Sequence, residues 1–115
     1  MKRDDRVYLQ HILESIERIE SYLSGVTLPQ FLQDTLRQDG VVRQLEIIGE
    51  ASRQISSDFR LQHPEVPWGQ IVALRNRIVH DYMNIDIEIV WEIVQQDLPV
   101  LKQTIRRIVE NGHFT

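Results

Sequence analysis

Residues 41–55 read VVRQLEIIGEASRQI. Val42, Leu45, Ile48, Ala51, Ser52 and Ile55 recur every three or four positions, which is the period of one helical face. Charged and amide groups fill the positions between them. The pattern predicts an amphipathic helix from about Val41 to Phe59. Gly49, inside its buried face, leaves room for another helix to approach closely.

The same period extends outward. Val7, Leu9, Ile12, Leu13, Ile16, Ile19 and Leu23 form one stripe of a first helix, with Asp4 and Asp5 at its start and Gly25 as its stop. A short helix follows Pro29 and carries Phe31, Leu32, Thr35 and Leu36, and Asp39-Gly40 reads as a break. The prolines of LQHPEVPWGQ end the third helix, and Pro67 suits the first position of a fourth, running to about His80. A fifth starts at Asp86, a good N-cap, and runs to about Asn111 on Ile89, Ile93, Val94, Val100, Leu101, Ile105, Ile108 and Val109. Pro99 lies within it and should kink or interrupt it. No strand is expected. The fold class is all-α: an antiparallel bundle of about five helices in one domain spanning 1–115.

Composition narrows the function classes. Apolar residues make up 42% and charged residues 26%, a balance typical of globular chains. No apolar run approaches the roughly 20 residues of a membrane span, and MKRDDRVYLQ lacks the apolar region of a signal peptide. The absence of cysteine removes thiolate chemistry and the common zinc sites. A cytoplasmic location without membrane contact is the expectation. The formal charge of −4 means that any anion site must come from local clustering.

Such a cluster stands at 74–85, LRNRIVHDYMNI. On a helical wheel with Ile71 at zero, Leu74, Ile78 and Tyr82 lie on the buried stripe, and Arg75 falls at about 40° within it. Asn76 and His80 are one turn apart, and Arg77 points to solvent. A guanidinium in an apolar sector needs an anionic partner. Glu46 or Glu50 on the third helix, a path to the bundle edge, and a ligand phosphate all meet that need. Spacing alone favours a structural Arg–Glu pair. His80 alone reads as a helix C-terminal residue, and Tyr82 alone as a core-edge aromatic.

Together the four groups resemble a site. No nucleophile motif flanks the histidine, and His11, His63, His80 and His113 are too scattered to suggest a metal. An arginine and a histidine without metal or cofactor suit RNA phosphodiester cleavage, where the ribose 2′-hydroxyl is the nucleophile. That reaction needs a base and an acid, so a two-fold dimer would supply the second imidazole. Lys102, Arg106 and Arg107 on the last helix are candidate RNA contacts, as is Arg77. For the first three, complementing the helix dipole is an equal reading.

LEIIGEAS (45–52), PEVPWGQI (64–71) and RNRIVHDY (75–82), followed by VWEIVQQDLPVLKQTI (90–105), resemble the HepT-like proteins of the HEPN superfamily in order and spacing. The shared motif is Arg, four residues, His, one residue, Tyr. The resemblance implies a homodimeric, metal-independent endoribonuclease toxin of a type VII toxin–antitoxin pair. It implies Arg75 and His80 as catalytic, Asn76 as supporting, and Tyr82 as acceptor of AMP from an MntA-like nucleotidyltransferase antitoxin. Two other classes compete: a non-catalytic nucleotide- or partner-binding dimer, and a phosphorelay histidine.

Overall fold

The computed structural model describes residues 3–81 and 84–111, without the side chains of residues 3, 80 and 81. The elements run α1 (Arg3–Leu23), α2 (Leu28–Leu32), α3 (Thr35–Gln54), α4 (Ser57–Gln62), α5 (Trp68–Val72), α6 (Leu74–Ile78), β1 (Val79–Asp81), β2 (Asn84–Ile85), α7 (Ile87–Glu92), a π-helical turn (Ile93–Asp97) and α8 (Leu98–Glu110). The all-α bundle is as expected, in more pieces than five. A two-stranded hairpin, β1 antiparallel to β2, stands where no strand was expected.

The core forms where the apolar stripes meet. Leu9, Ile12, Ile16 and Ile19 of α1 press against Val41, Leu45 and Ile48 of α3 and against Leu101 and Ile105 of α8, and all are buried. Each such side chain contributes about 1.5–3 kcal/mol on leaving water. Polar contacts fix the directions. Asp5 of α1 meets Ser56 beyond the end of α3, and the Arg37 guanidinium near the start of α3 donates to the Tyr22 carbonyl near the end of α1. Glu20 meets Lys102 and Glu17 meets Arg106. Both series run in opposite senses along the chain, so α1 is antiparallel to α3 and to α8.

Helix ends follow local chemistry. Gly25 takes φ 73°, a left-handed conformation that stops α1 at little steric cost. Thr27 and Gln30 close a capping box over α2. Asp34 caps α3 by accepting from the Arg37 amide, so α3 begins six residues before the expected Val41 and passes straight through Asp39-Gly40. It also ends earlier, because Ile55 turns to an extended conformation and Ser56 caps a separate α4. The Arg60 side chain then takes up the carbonyls of Ser52, Arg53 and Ile55. Asp5, expected to serve the start of its own helix, is instead buried against the Ser56 amide and hydroxyl.

Asp86 caps α7 as expected. Pro99 has no amide hydrogen, and its ring would clash with the carbonyl four residues back. The helix responds with one wider turn, in which the Leu98 amide donates to the Ile93 carbonyl five residues away. Val100, assigned to the buried stripe by spacing, is 64% exposed beyond this turn.

Candidate functional site

The site is assembled around α6, a single turn held by its neighbours. Leu74 and Ile78 are buried beneath it. α5 packs over Gly49 of α3, where an added Cβ would meet the Ile71 carbonyl oxygen at 3.4 Å, in van der Waals contact. The expected fourth helix is broken at Ala73, whose amide donates to the Gly69 and Ile71 carbonyls. Leu74 and Ile78 keep the buried stripe that the wheel assigned them, but Arg75, at the margin of that sector, does not follow them inside.

Arg75 is not buried. Its side chain is 71% exposed, and Nη1 donates to Glu46 Oε2 of α3 at 2.8 Å. Of the two candidate partners, the structure selects Glu46. Glu50, one turn further along α3, stands instead 3.8 Å from Arg53. Asn76 is exposed between the two arginines. Arg77, expected to point freely to solvent, donates to Asp97 Oδ2 at 2.6 Å.

After Ile78 the chain leaves the helix. Val79 adopts an extended conformation, and Val79 and Asp81 pair with Ile85 and Asn84. The Asp86 amide donates to the Ile78 carbonyl at 2.7 Å and closes the base of this hairpin. His80 therefore sits on β1 and not at a helix C-terminus, and the one-turn relation between Asn76 and His80 does not hold. The β-branched Ile78 and Val79 favour this extended exit. The His80 side chain and Tyr82 lie outside the described residues, as does His113.

The last-helix cations are placed elsewhere. Lys102 is 2.7 Å from Glu20 and Arg106 is 3.3 Å from Glu17, both acids of α1. With Arg107 they line a shallow depression that includes Pro99 and Glu110 but no residue of α6. Only Arg107 occupies the last turn of α8, where a cation complements the dipole.

Beside α6 an open groove of about 660 Å³ runs between α5–α6 on one side and the π turn with α8 on the other. Ile71, Leu74, Ile93, Leu98 and Leu101 form its apolar walls, and Arg77 and Asp97 also line it. Asp97 is the site-flanking residue that sequence reasoning missed. Pro99, two positions later, was the available signal, because it forces the wide turn that carries Asp97. Among the described residues no group of three or more His, Asp or Glu side chains is arranged to hold a metal ion. No helix among them is long and apolar enough to cross a membrane.

A small helical bundle with an arginine-bearing turn opening onto a groove defines the class. The family model for HepT-like ribonucleases ("Ribonuclease HepT-like") matches residues 12–108, and the chain belongs to that family. It is 42% identical over 102 residues to "Probable ribonuclease HepT" of Thermococcus cleftensis, covering 89% of this chain and 93% of that one. It is 40% identical over 104 residues to a "Putative RNase" of Methanocaldococcus jannaschii, covering 90% and 95%. A longer protein of the same organism, "Gamma-glutamylcyclotransferase and putative RNase", is 39% identical over 110 residues, which span 96% of this chain and 50% of that protein. No solved structure matches.

Proposed function

We propose that this protein is an RNA-cleaving toxin of a toxin–antitoxin pair, acting as a homodimer without a metal. The observation that carries the reading is Arg75: a guanidinium on the family motif, accessible to solvent, with a counter-ion that can yield to phosphate. Membership of a ribonuclease family supplies the substrate class.

In this mechanism the His80 imidazole of one copy takes the proton of a ribose 2′-hydroxyl. The 2′-oxygen attacks the adjacent phosphorus. Arg75 stabilises the charge gathering on the phosphorane oxygens. The bond to the 5′-oxygen breaks, and that oxygen receives a proton from the second copy's imidazolium. The products are a 2′,3′-cyclic phosphate and a 5′-hydroxyl. Asn76, exposed beside Arg75, supports the phosphate.

Each motif carries one histidine, so acid and base together require two copies. The apolar end of the groove beside α6, where Leu98 and Leu101 meet exposed Val100, supports a second copy as its occupant, with the half-exposed Arg77 and Asp97 left open to solvent. Seating it there would bring two α6 turns to one shared rim. Transfer of AMP to Tyr82 by a nucleotidyltransferase antitoxin would add a phosphate two residues from His80. That group would repel an RNA backbone and compete for Arg75.

The test is RNA cleavage by purified protein in the presence of a chelator. Arg75→Ala and His80→Ala should each lower the rate by at least about 100-fold, with unchanged unfolding curves. Cleavage by both variants at the wild-type rate overturns the assignment. Intact mass after co-expression with the nucleotidyltransferase tests the regulation, with the AMP increment expected on Tyr82 alone.

A further inference from the structure

We propose that Arg77 binds a backbone phosphate of the RNA, and that Asp97 is its resident counter-charge, exchanged for that phosphate when substrate arrives. The class of ligand rests on the ribonuclease reading above; the exchange itself rests on the geometry that follows.

Arg75 and Arg77 lie on the same helical turn but two positions apart, so they project to opposite flanks of α6. One reaches Glu46 on α3 and the other Asp97 on the π turn. A polyanion crossing this turn meets a guanidinium on each flank with the Asn76 amide between them. The catalytic assignment uses Arg75 and leaves Arg77 unexplained.

Asp97 stands where a phosphate oxygen would stand. Its Oδ2 lies 2.6 Å from Arg77 Nη1, and the guanidinium fork serves carboxylates and phosphates alike. The position is built into the backbone. The wide turn demanded by Pro99 carries Asp97 at its last residue, and such turns recur at functional sites.

The pair is also weak enough to exchange. Both side chains are about half exposed, and ion pairs of that kind contribute at most about 1 kcal/mol. A single small anion gains little by displacing the carboxylate. A strand that presents several phosphates at once gains at each cation. Asp97 thereby sets affinity and favours polymers over mononucleotides.

The experiment measures binding of a fluorescent, single-stranded 2′-O-methyl oligoribonucleotide by anisotropy, over a range of salt concentrations. This probe lacks the nucleophile and is not cut. Asp97→Asn should bind about fivefold more tightly at low salt, and its affinity should fall more steeply with salt by about 0.7 log units per log unit. A merely structural pair would not steepen that slope. Arg77→Gln should bind several-fold more weakly than wild type, and the double variant should match Arg77→Gln. The proposal is overturned if Asp97→Asn binds no better, if Arg77→Gln binds like wild type, or if the gain persists without Arg77. A changed molecular mass of Asp97→Asn by light scattering also overturns it, because the pair would then be an intersubunit contact. If wild type cuts no RNA yet Asp97→Asn binds the probe more tightly, only the catalytic reading fails. If cleavage holds and binding does not tighten, only the exchange fails.

Discussion

Arg75 and Glu46, 29 positions apart in sequence, are joined by a 2.8 Å hydrogen bond that ties α6 to α3, yet most of the Arg75 side chain faces solvent. A guanidinium in that state has a partner in the free protein and an open side for a ligand. An exposed pair of this kind is a weak staple. A double-mutant cycle with Arg75→Ala, Glu46→Ala and both, followed by urea unfolding, should give a coupling of about 1 kcal/mol or less. A coupling above about 3 kcal/mol would make Arg75 a structural residue and remove the main support for its role in cleavage.

Asp5 is only 2% exposed, and its carboxylate accepts from the Ser56 amide at 2.8 Å and the Ser56 hydroxyl at 2.7 Å. The Ser56 hydroxyl in turn caps α4 by accepting from the Phe59 amide. Removing the carboxylate strands two donors. Asp5→Ala should therefore destabilise the bundle by about 3 kcal/mol, measured by urea unfolding. Ser56→Ala, which keeps the amide contact, should cost less.

Gly49 separates two effects of size. An added methyl would meet the Ile71 carbonyl oxygen at 3.4 Å, an ordinary contact. Glycine in a helix interior also costs up to about 1 kcal/mol relative to alanine. Gly49→Ala should accordingly leave the melting temperature unchanged or raise it slightly. Gly49→Leu should push α5 off α3, lower stability by about 1–3 kcal/mol, and reduce RNA cleavage by shifting α6.

The acid limb of the stability curve should contain a contribution from Asp34. The hydrogen bond from the Arg37 amide, then that from the Arg37 guanidinium, hold its carboxyl below the ordinary aspartate value. A lowered folded value means that the unfolded chain binds the proton more readily. The stabilisation is then fully present above the ordinary aspartate range and is lost as the pH falls through the lowered value. Thermal melts of wild type and Asp34→Ala should differ at neutral pH and converge on acidification. A difference that persists unchanged into strong acid would contradict this.

Local signals carried much of the fold. The stripes of α1 and α3, the Gly25 stop, the Asp86 cap and the disturbance before Pro99 were all legible, because each depends on neighbours within a turn or two. Helix boundaries were less so. Asp34 extended α3 at its start, and Ser56 cut it at its end, because capping side chains compete with periodicity. The helical wheel misplaced His80 because it assumed an unbroken helix from Pro67 to His80, and it misplaced Arg75 because a long side chain at the margin of the apolar sector reaches out to Glu46. The chain breaks at Ala73 and turns into a hairpin after Ile78.

Residue order and spacing alone were enough to read an apolar-striped helical bundle with its unusual chemistry gathered at residues 75–82. Three-dimensional packing was needed to show that Arg75 stays open to solvent on Glu46, that Glu50 pairs with Arg53 instead, and that Arg77 meets Asp97. Those outcomes depend on how far α5 sinks onto Gly49 and on the extra residue in the turn before Pro99. Packing and backbone register set both, and no pattern along one helix contains them.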